Sequence, residues 1–191
     1  MLPQIVTGPA RFRSTGYRAL LSSLETPPGR LRTYAAGDRL GAWEVLHPRA
    51  SDRFALADDS ALVLRGAVRG TRVLFCSDLG SEGQSALLDR YPDLRSDIVV
   101  SGIPARGEPL SEDLLERVHP RLLILSDAYT PANEQAKSEL RERLEKRGVP
   151  VIHTSDHGSV TVELRSRGWT ARTMSGLRMA GTPSAATPAP P

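Results

Sequence analysis

At 191 residues and a formal net charge of +3, the chain is long enough for one domain with a sizeable core plus a tail. Cys76 is its only cysteine, which excludes internal disulfides and any cysteine-based zinc site. No apolar run reaches the length of a membrane span and no charged-then-apolar leader is visible, so the chain reads as soluble.

Charge is unevenly spread. Residues 1–72 carry 11 Arg against 6 acids, whereas residues 73–150 carry 10 basic against 14 acidic groups. A basic N-terminal third suits a solvated surface or contact with nucleic acid, with Arg11, Arg13 and Arg18 as candidate phosphate contacts.

In chain order, Gln4–Thr7 reads as a short strand ended by Gly8-Pro9. Ser14 is placed to cap a helix whose Tyr17, Leu20, Leu21 and Leu24 form one apolar stripe, stopped by Pro27-Pro28-Gly29. Strands follow at 30–34 and 43–46, the second closed by His47-Pro48. The polar stretch 49–59 reads as a surface loop. Residues 60–65 and 71–75 read as a hairpin around the five-residue loop Gly66–Gly70.

Strand and helix then alternate. Helices are predicted at 81–90, 111–118 and 131–147, the last ending at Gly148, with strands at 98–100, 122–125 and 149–153. Ser155–Gly158 reads as a turn, and 160–164 and 169–173 as a closing strand pair. From Gly176 the chain is rich in Gly, Ala, Pro, Ser and Thr, which predicts a domain over 1–175 and a disordered tail over 176–191. The pattern implies an α/β (α+β) fold, a mixed sheet with helices on one face.

The stretch Thr71–Gly80 is the focus for chemistry. Val73, Leu74 and Phe75 build a short apolar strand that delivers Asp78 at its carboxyl end, where α/β sheets place functional groups. Ser77 beside it has no base positioned by sequence, and no G-x-S-x-G elbow or phosphate loop is present. His47 and His119 precede prolines and read as capping or solvated. His153 and His157 are four apart, but at a strand-to-turn junction rather than on a helical face.

Ser60–Gly80, SALVLRGAVRGTRVLFCSDLG, resembles the "NSLVLRL…GRRFLFTGD" hairpin of metallo-β-lactamase-fold domains, most closely the version in the ComEC competence (DNA-uptake) family. Gly37–Leu40 with Trp43–Pro48 looks like that family's "GDRL…WEVLHP", Asp97–Val100 through Arg121 like "ADVLKV…LL..VRPR", and Thr154–Val162 like "TDxDGAVTV". The resemblance runs in order over about residues 5–164 and implies the C-terminal, partial portion of an αββα metallo-β-lactamase-like domain, one attached to the cell membrane.

By that resemblance Asp78 is the carboxylate flanking a metal pair. The family's HxHxDH motif is absent, its "GHHGS" loop corresponds to Gly102–Arg106, and its "HPHP" loop to Tyr129–Asn133, without histidine. A hydrolytic zinc or manganese site needs at least three N or O ligands and an open position. The expectation is therefore a degenerate domain with no catalytic residues and no cofactor, in which Asp78 is a vestigial ligand that caps a turn. Zinc or manganese enters only if the site is completed elsewhere.

Two rivals stand beside it: a metal-dependent nuclease completed by an N-terminal half or partner chain, and a nucleic-acid-binding or scaffold module. The partners implied are DNA, the membrane channel part of a ComEC-like protein, and a second copy through an uncovered sheet face.

Overall fold

A computed structural model describes residues 5–25 and 28–184. Gln4, Pro27 and the last residues of the expected tail, 185–191, lie outside the described residues. The first elements are β1 (Ile5–Thr7), α1 (Thr15–Leu24) and β2 (Leu31–Thr33), with β1 and β2 paired in parallel as a separate two-stranded sheet. Ser14 caps α1 by accepting the Tyr17 N–H on its hydroxyl, as its type and position predict. The apolar stripe does not enter a core: no residue of α1 is fully buried, and Leu20 is 54% exposed.

The body of the protein is a seven-stranded sheet in sequential order: β3 (Arg39–Leu40), β4 (Trp43–His47), β5 (Val63–Val68), β6 (Thr71–Ser77), β7 (Ile98–Ser101), β8 (Leu122–Leu125) and β9 (Val151–His153). Strands β3 to β6 run antiparallel, and β6 to β9 are parallel. Each parallel step needs a crossover, and α2 (Ser81–Arg90), α3 (Glu112–Val118) and α4 (Ser138–Lys146) lie in those three connections.

The fold is thus mixed α/β, as its pattern of elements predicts. β8 is buried along its whole length, as its unbroken LLIL run requires of a strand covered on both faces.

The hairpin is tighter than the sequence suggested. Val68 pairs with Thr71, so the turn is only Arg69-Gly70, both at positive φ (53° and 85°), the conformation that twists with the flanking strands. Gly66 therefore lies inside β5, opposite Trp43 of β4. Helix α4 is shorter than predicted: a 3-10 turn at Ala132–Glu134 precedes it, and regular helix begins only at Ser138.

One face of the large sheet packs on α2, α3 and α4 through Leu74, Leu87, Leu115, Leu123 and Leu144. Over the other face lies a three-stranded antiparallel sheet of β10 (Val160–Arg165), β11 (Gly168–Thr173) and β12 (Arg178–Gly181). Its Trp169 and Ala171 pack on Val73, Ile98, Leu122, Ile124 and Ile152.

β12 falls inside the stretch read as tail. It is held by its pairing with β11, by Met179 against the second core, and by the Ser184 N–H on Asp97 Oδ1 at 2.6 Å. Backbone pairing at a sheet edge does not need an apolar-rich sequence. The uncovered face expected from the sequence is therefore largely covered, leaving a groove of about 380 Å³ floored by Trp43, Phe75 and Val100 beside β10.

Candidate functional site

Parallel strands β6 to β9 end together, and their carboxyl edge carries Asp78, Ser101-Gly102, Asp127 and the single helical turn α5 (Thr154–His157). This is the edge at which open α/β sheets hold their ligands.

At the β6 end, Ser77 adopts φ 49° where the register with β7 shifts, and its carbonyl accepts the Gly102 N–H at 2.8 Å. The Asp78 carboxylate then lies against Gly102 so closely that a Cβ there would overlap Oδ1 and the carboxylate would have to swing away. Among the described residues it accepts no hydrogen bond. Burial, with the like charges of Asp58 and Glu134, raises its pKa above the ordinary carboxylate value.

Asp78 therefore does not cap the following helix. Asp59 does: from a 3-10 turn at Asp58–Ser60 its Oδ1 accepts the Glu82 and Gly83 N–H groups at 2.9 and 3.1 Å. The neighbouring Asp58 accepts the Ala105 N–H at 2.7 Å, tying the loop after β7 to the same turn. The end of the polar loop is thus a buried brace, with Asp59 only 1% exposed.

A second polar cluster lies at the ends of β8 and β9. Asp127, whose side chain is fully enclosed, accepts the Ser155 N–H at 2.9 Å, the Ser155 hydroxyl at 3.0 Å and an Arg141 guanidinium N–H at 3.1 Å. His153 Nδ1 lies 3.3 Å from the same carboxylate. Arg141 also donates to Asp156 at 2.6 Å, and Tyr129 donates its hydroxyl to Asp156 at 2.5 Å.

The bonds from Arg141 and Tyr129 hold Asp156 down at about 2, while burial, reinforced by Arg141, lowers His153. This is not a nucleophile relay, because Ser155 donates to Asp127 and not to the imidazole. His157 turns elsewhere, to the Ser175 hydroxyl at 2.9 Å.

The other histidines separate. His119 ends α3 in the left-handed conformation and is exposed. His47 is fully buried, not solvated; its Nε2 lies 2.7 Å from the Asp59 carbonyl, and burial lowers its pKa. Cys76, behind Asp78 on β6, is buried and its thiol is pushed up to about 12.

A divalent metal does not fit these residues. Asp78 gathers no imidazole or thiolate beside it, Asp127 is already paired with Arg141, and among the described residues no group of three or more His, Cys, Asp or Glu can hold a metal ion.

The second cluster escaped the sequence reading, although its signal was the same as that of Asp78: an apolar strand, LLIL, followed within two residues by an aspartate. Arg141 gave no such signal, since nothing in a Glu/Arg-rich helix distinguishes the one arginine that turns inward.

No protein-family model matches the chain. Among curated proteins, 125 residues, or 65% of the chain, align at 22% identity with ComE operon protein 3 of Bacillus subtilis (strain 168). The aligned part is 16% of the length of that protein. The chain is thus distantly similar to a competence operon protein over a small part of it. No helix among the described residues is long and apolar enough to cross a membrane.

Proposed function

We propose that this chain is a competence-associated domain of the metallo-β-lactamase line, related to the ComEC DNA-uptake family, that works without a hydrolytic metal centre of its own. The carrying observation is the end of β6. By the family resemblance Asp78 stands where a metal carboxylate would be, yet the loop beside it runs Gly102-Ile103-Pro104 and supplies no imidazole. The distant similarity to ComE operon protein 3 supports the competence assignment. On this reading the domain acts by contact, with DNA or with the channel part of an uptake apparatus, rather than by hydrolysis.

The test is metal analysis of protein purified without chelators, together with a plasmid-nicking assay in zinc or manganese. Metal content well below one equivalent, no nicking, and thermal stability unmoved by EDTA are the expected results. One equivalent of zinc or manganese that is lost in Asp78→Ala, accompanied by nicking, would overturn the proposal in favour of an active hydrolase.

A further inference from the structure

A large cleft among the described residues is remote in sequence from the strand ends just described. It has a volume of about 630 Å³ and forms where the segment between β1 and α1 meets the loop after β4. That size falls in the range of small-ligand sites, roughly 300–1,000 Å³. Its walls carry four arginines, Arg11, Arg13, Arg49 and Arg53, and two aromatic rings, Phe12 and Phe54.

Charge in the cleft is unbalanced. The single carboxylate in its wall, Asp52, is already taken by Arg90, which donates two hydrogen bonds to it at 2.6 and 2.7 Å. None of the four lining arginines forms an ion pair with a carboxylate among the described residues. Two are nonetheless fixed in place by neutral acceptors. Arg11 donates to the Gly8 and Ala10 carbonyls and to the Thr33 hydroxyl at 3.1, 3.2 and 2.9 Å, and Arg53 to the Ala50 and Asp52 carbonyls at 3.0 and 2.6 Å. Two of the four positive charges are thus held in place around a concavity whose own carboxylate is paired with Arg90, and Arg13 and Arg49 keep their guanidinium groups unengaged among the described residues.

The aromatic rings add a second requirement. Phe12 is 36% exposed and is held by the Tyr17 ring, centroids 5.0 Å apart and 70° between planes. Phe54 leans on the His47 ring at 5.4 Å. A planar group beside a multiply charged anion satisfies both features, since arginines grip phosphate and an aromatic face stacks a base. Four unneutralised cations match two or more phosphates better than one.

We infer that this cleft binds single-stranded nucleic acid, with consecutive phosphates at Arg11, Arg13, Arg49 and Arg53 and a base stacked on Phe12. The inference rests on the proposed reading of a domain that acts by contact with DNA; metal analysis tests the missing metal centre and strand binding tests this cleft, so the two can fail separately.

The test is fluorescence anisotropy of the full chain with a labelled oligo(dT) strand over a salt series. The variants are Arg13→Glu with Arg49→Glu, whose guanidinium groups hold no backbone, and Phe12→Ala with its conservative counterpart Phe12→Tyr. Arg167→Glu, in the β10–β11 turn, is the control. The charge-reversal pair is expected to weaken binding at least about tenfold and to flatten the log–log salt slope by about 1.4, at 0.7 per phosphate contact. Phe12→Ala is expected to lose about 5- to 150-fold, the range for one stacked base, with recovery in Phe12→Tyr.

No binding by the wild type, an unchanged salt slope in the pair, or an equal loss in Arg167→Glu would overturn the proposal. So would loss of binding to phosphatidylserine vesicles in the pair while oligo(dT) affinity is unchanged, since that assigns the cleft to a lipid surface.

Discussion

Asp59 and Gly83 are 24 residues apart, yet the buried Asp59 carboxylate accepts the Gly83 N–H at 3.1 Å and so fixes the start of α2. A Cβ at Gly83 would lie 2.8 Å from the Asp59 carbonyl oxygen, so the pair is also a close backbone approach. Asp59→Ala leaves the Glu82 and Gly83 donors unpaired. The expected loss is about 2–3 kcal/mol, from a lost cap plus a buried unsatisfied donor. Asp59→Asn, which keeps one acceptor oxygen, is expected to lose less. Urea unfolding measures both, and an Asp59→Ala protein as stable as wild type would remove the brace.

Asp78 is expected to behave in the opposite way. Its carboxyl group is raised by burial and by Asp58 and Glu134, so the folded state favours its protonated form. A group raised on folding contributes most below its unfolded value of 3.8, and that contribution falls as pH rises through the raised value. Asp78→Asn is therefore expected to match or exceed wild-type stability at neutral pH, with the gap closing as pH falls. A less stable Asp78→Asn at neutral pH would mean that the carboxylate makes a bond that holds the fold.

Acid should weaken the protein in two stages. Burial lowers both His47 and His153, so each favours its neutral form in the folded state. Their contribution is complete above the unfolded value of 6.5 and is lost as pH falls below it. Asp156, held at about 2 by Arg141 and Tyr129, contributes above 3.8 and is lost as pH falls towards about 2. Urea midpoints measured down the pH scale should fall in both windows, and His153→Gln should shrink only the upper one. A flat profile between about pH 7 and 5 would refute the buried neutral histidines.

Local signals in the sequence carried most of the architecture because they are local in origin. Leu122–Leu125 is a strand because a buried parallel strand needs an unbroken apolar run, and Ser14 and Ser111 are caps because a hydroxyl there can accept a helix N–H. What escaped depends on distant partners. Asp59 looked like loop polarity because the donors it serves lie beyond the hairpin, in α2. β12 looked like tail because its stability comes from pairing with β11, not from its own residues. Asp78 was legible as a position, but its actual neighbours, Asp58 and Glu134, come from two other loops.

The Gly66–Trp43 contact is a packing test of the tight hairpin. An added Cβ at Gly66 would lie 2.5 Å from Trp43 Cε3 and 2.8 Å from Cζ3, so the indole has to move. Trp43 also packs edge-on against Phe75 at 5.1 Å, which limits its retreat. Gly66→Ala is expected to cost about 1–3 kcal/mol, the usual penalty of forcing extra volume into a packed site. It should also shift the tryptophan emission. Neutral stability with unchanged emission would place Gly66 in the wider loop that the sequence first suggested.

Arg141 joins α4 to the ends of β8 and β9 by bonding Asp127 and Asp156 together. Asp127 is fully enclosed, so removing Arg141 leaves a buried carboxylate without its guanidinium partner, held only by the two Ser155 donors and the nearby His153. Breaking a fully buried pair costs about 3–5 kcal/mol, but Arg141 is a quarter exposed, and about 2–3 kcal/mol is the expected loss for Arg141→Leu. Lysine is a poor substitute, since one ammonium lacks the planar fork that reaches both carboxylates. Arg141→Lys should therefore recover only part of the loss. In a double-mutant cycle, Asp127→Asn should cost less in the Arg141→Leu background than in the wild type, because the stranded charge is then gone. Strict additivity in that cycle would show that the two groups do not interact.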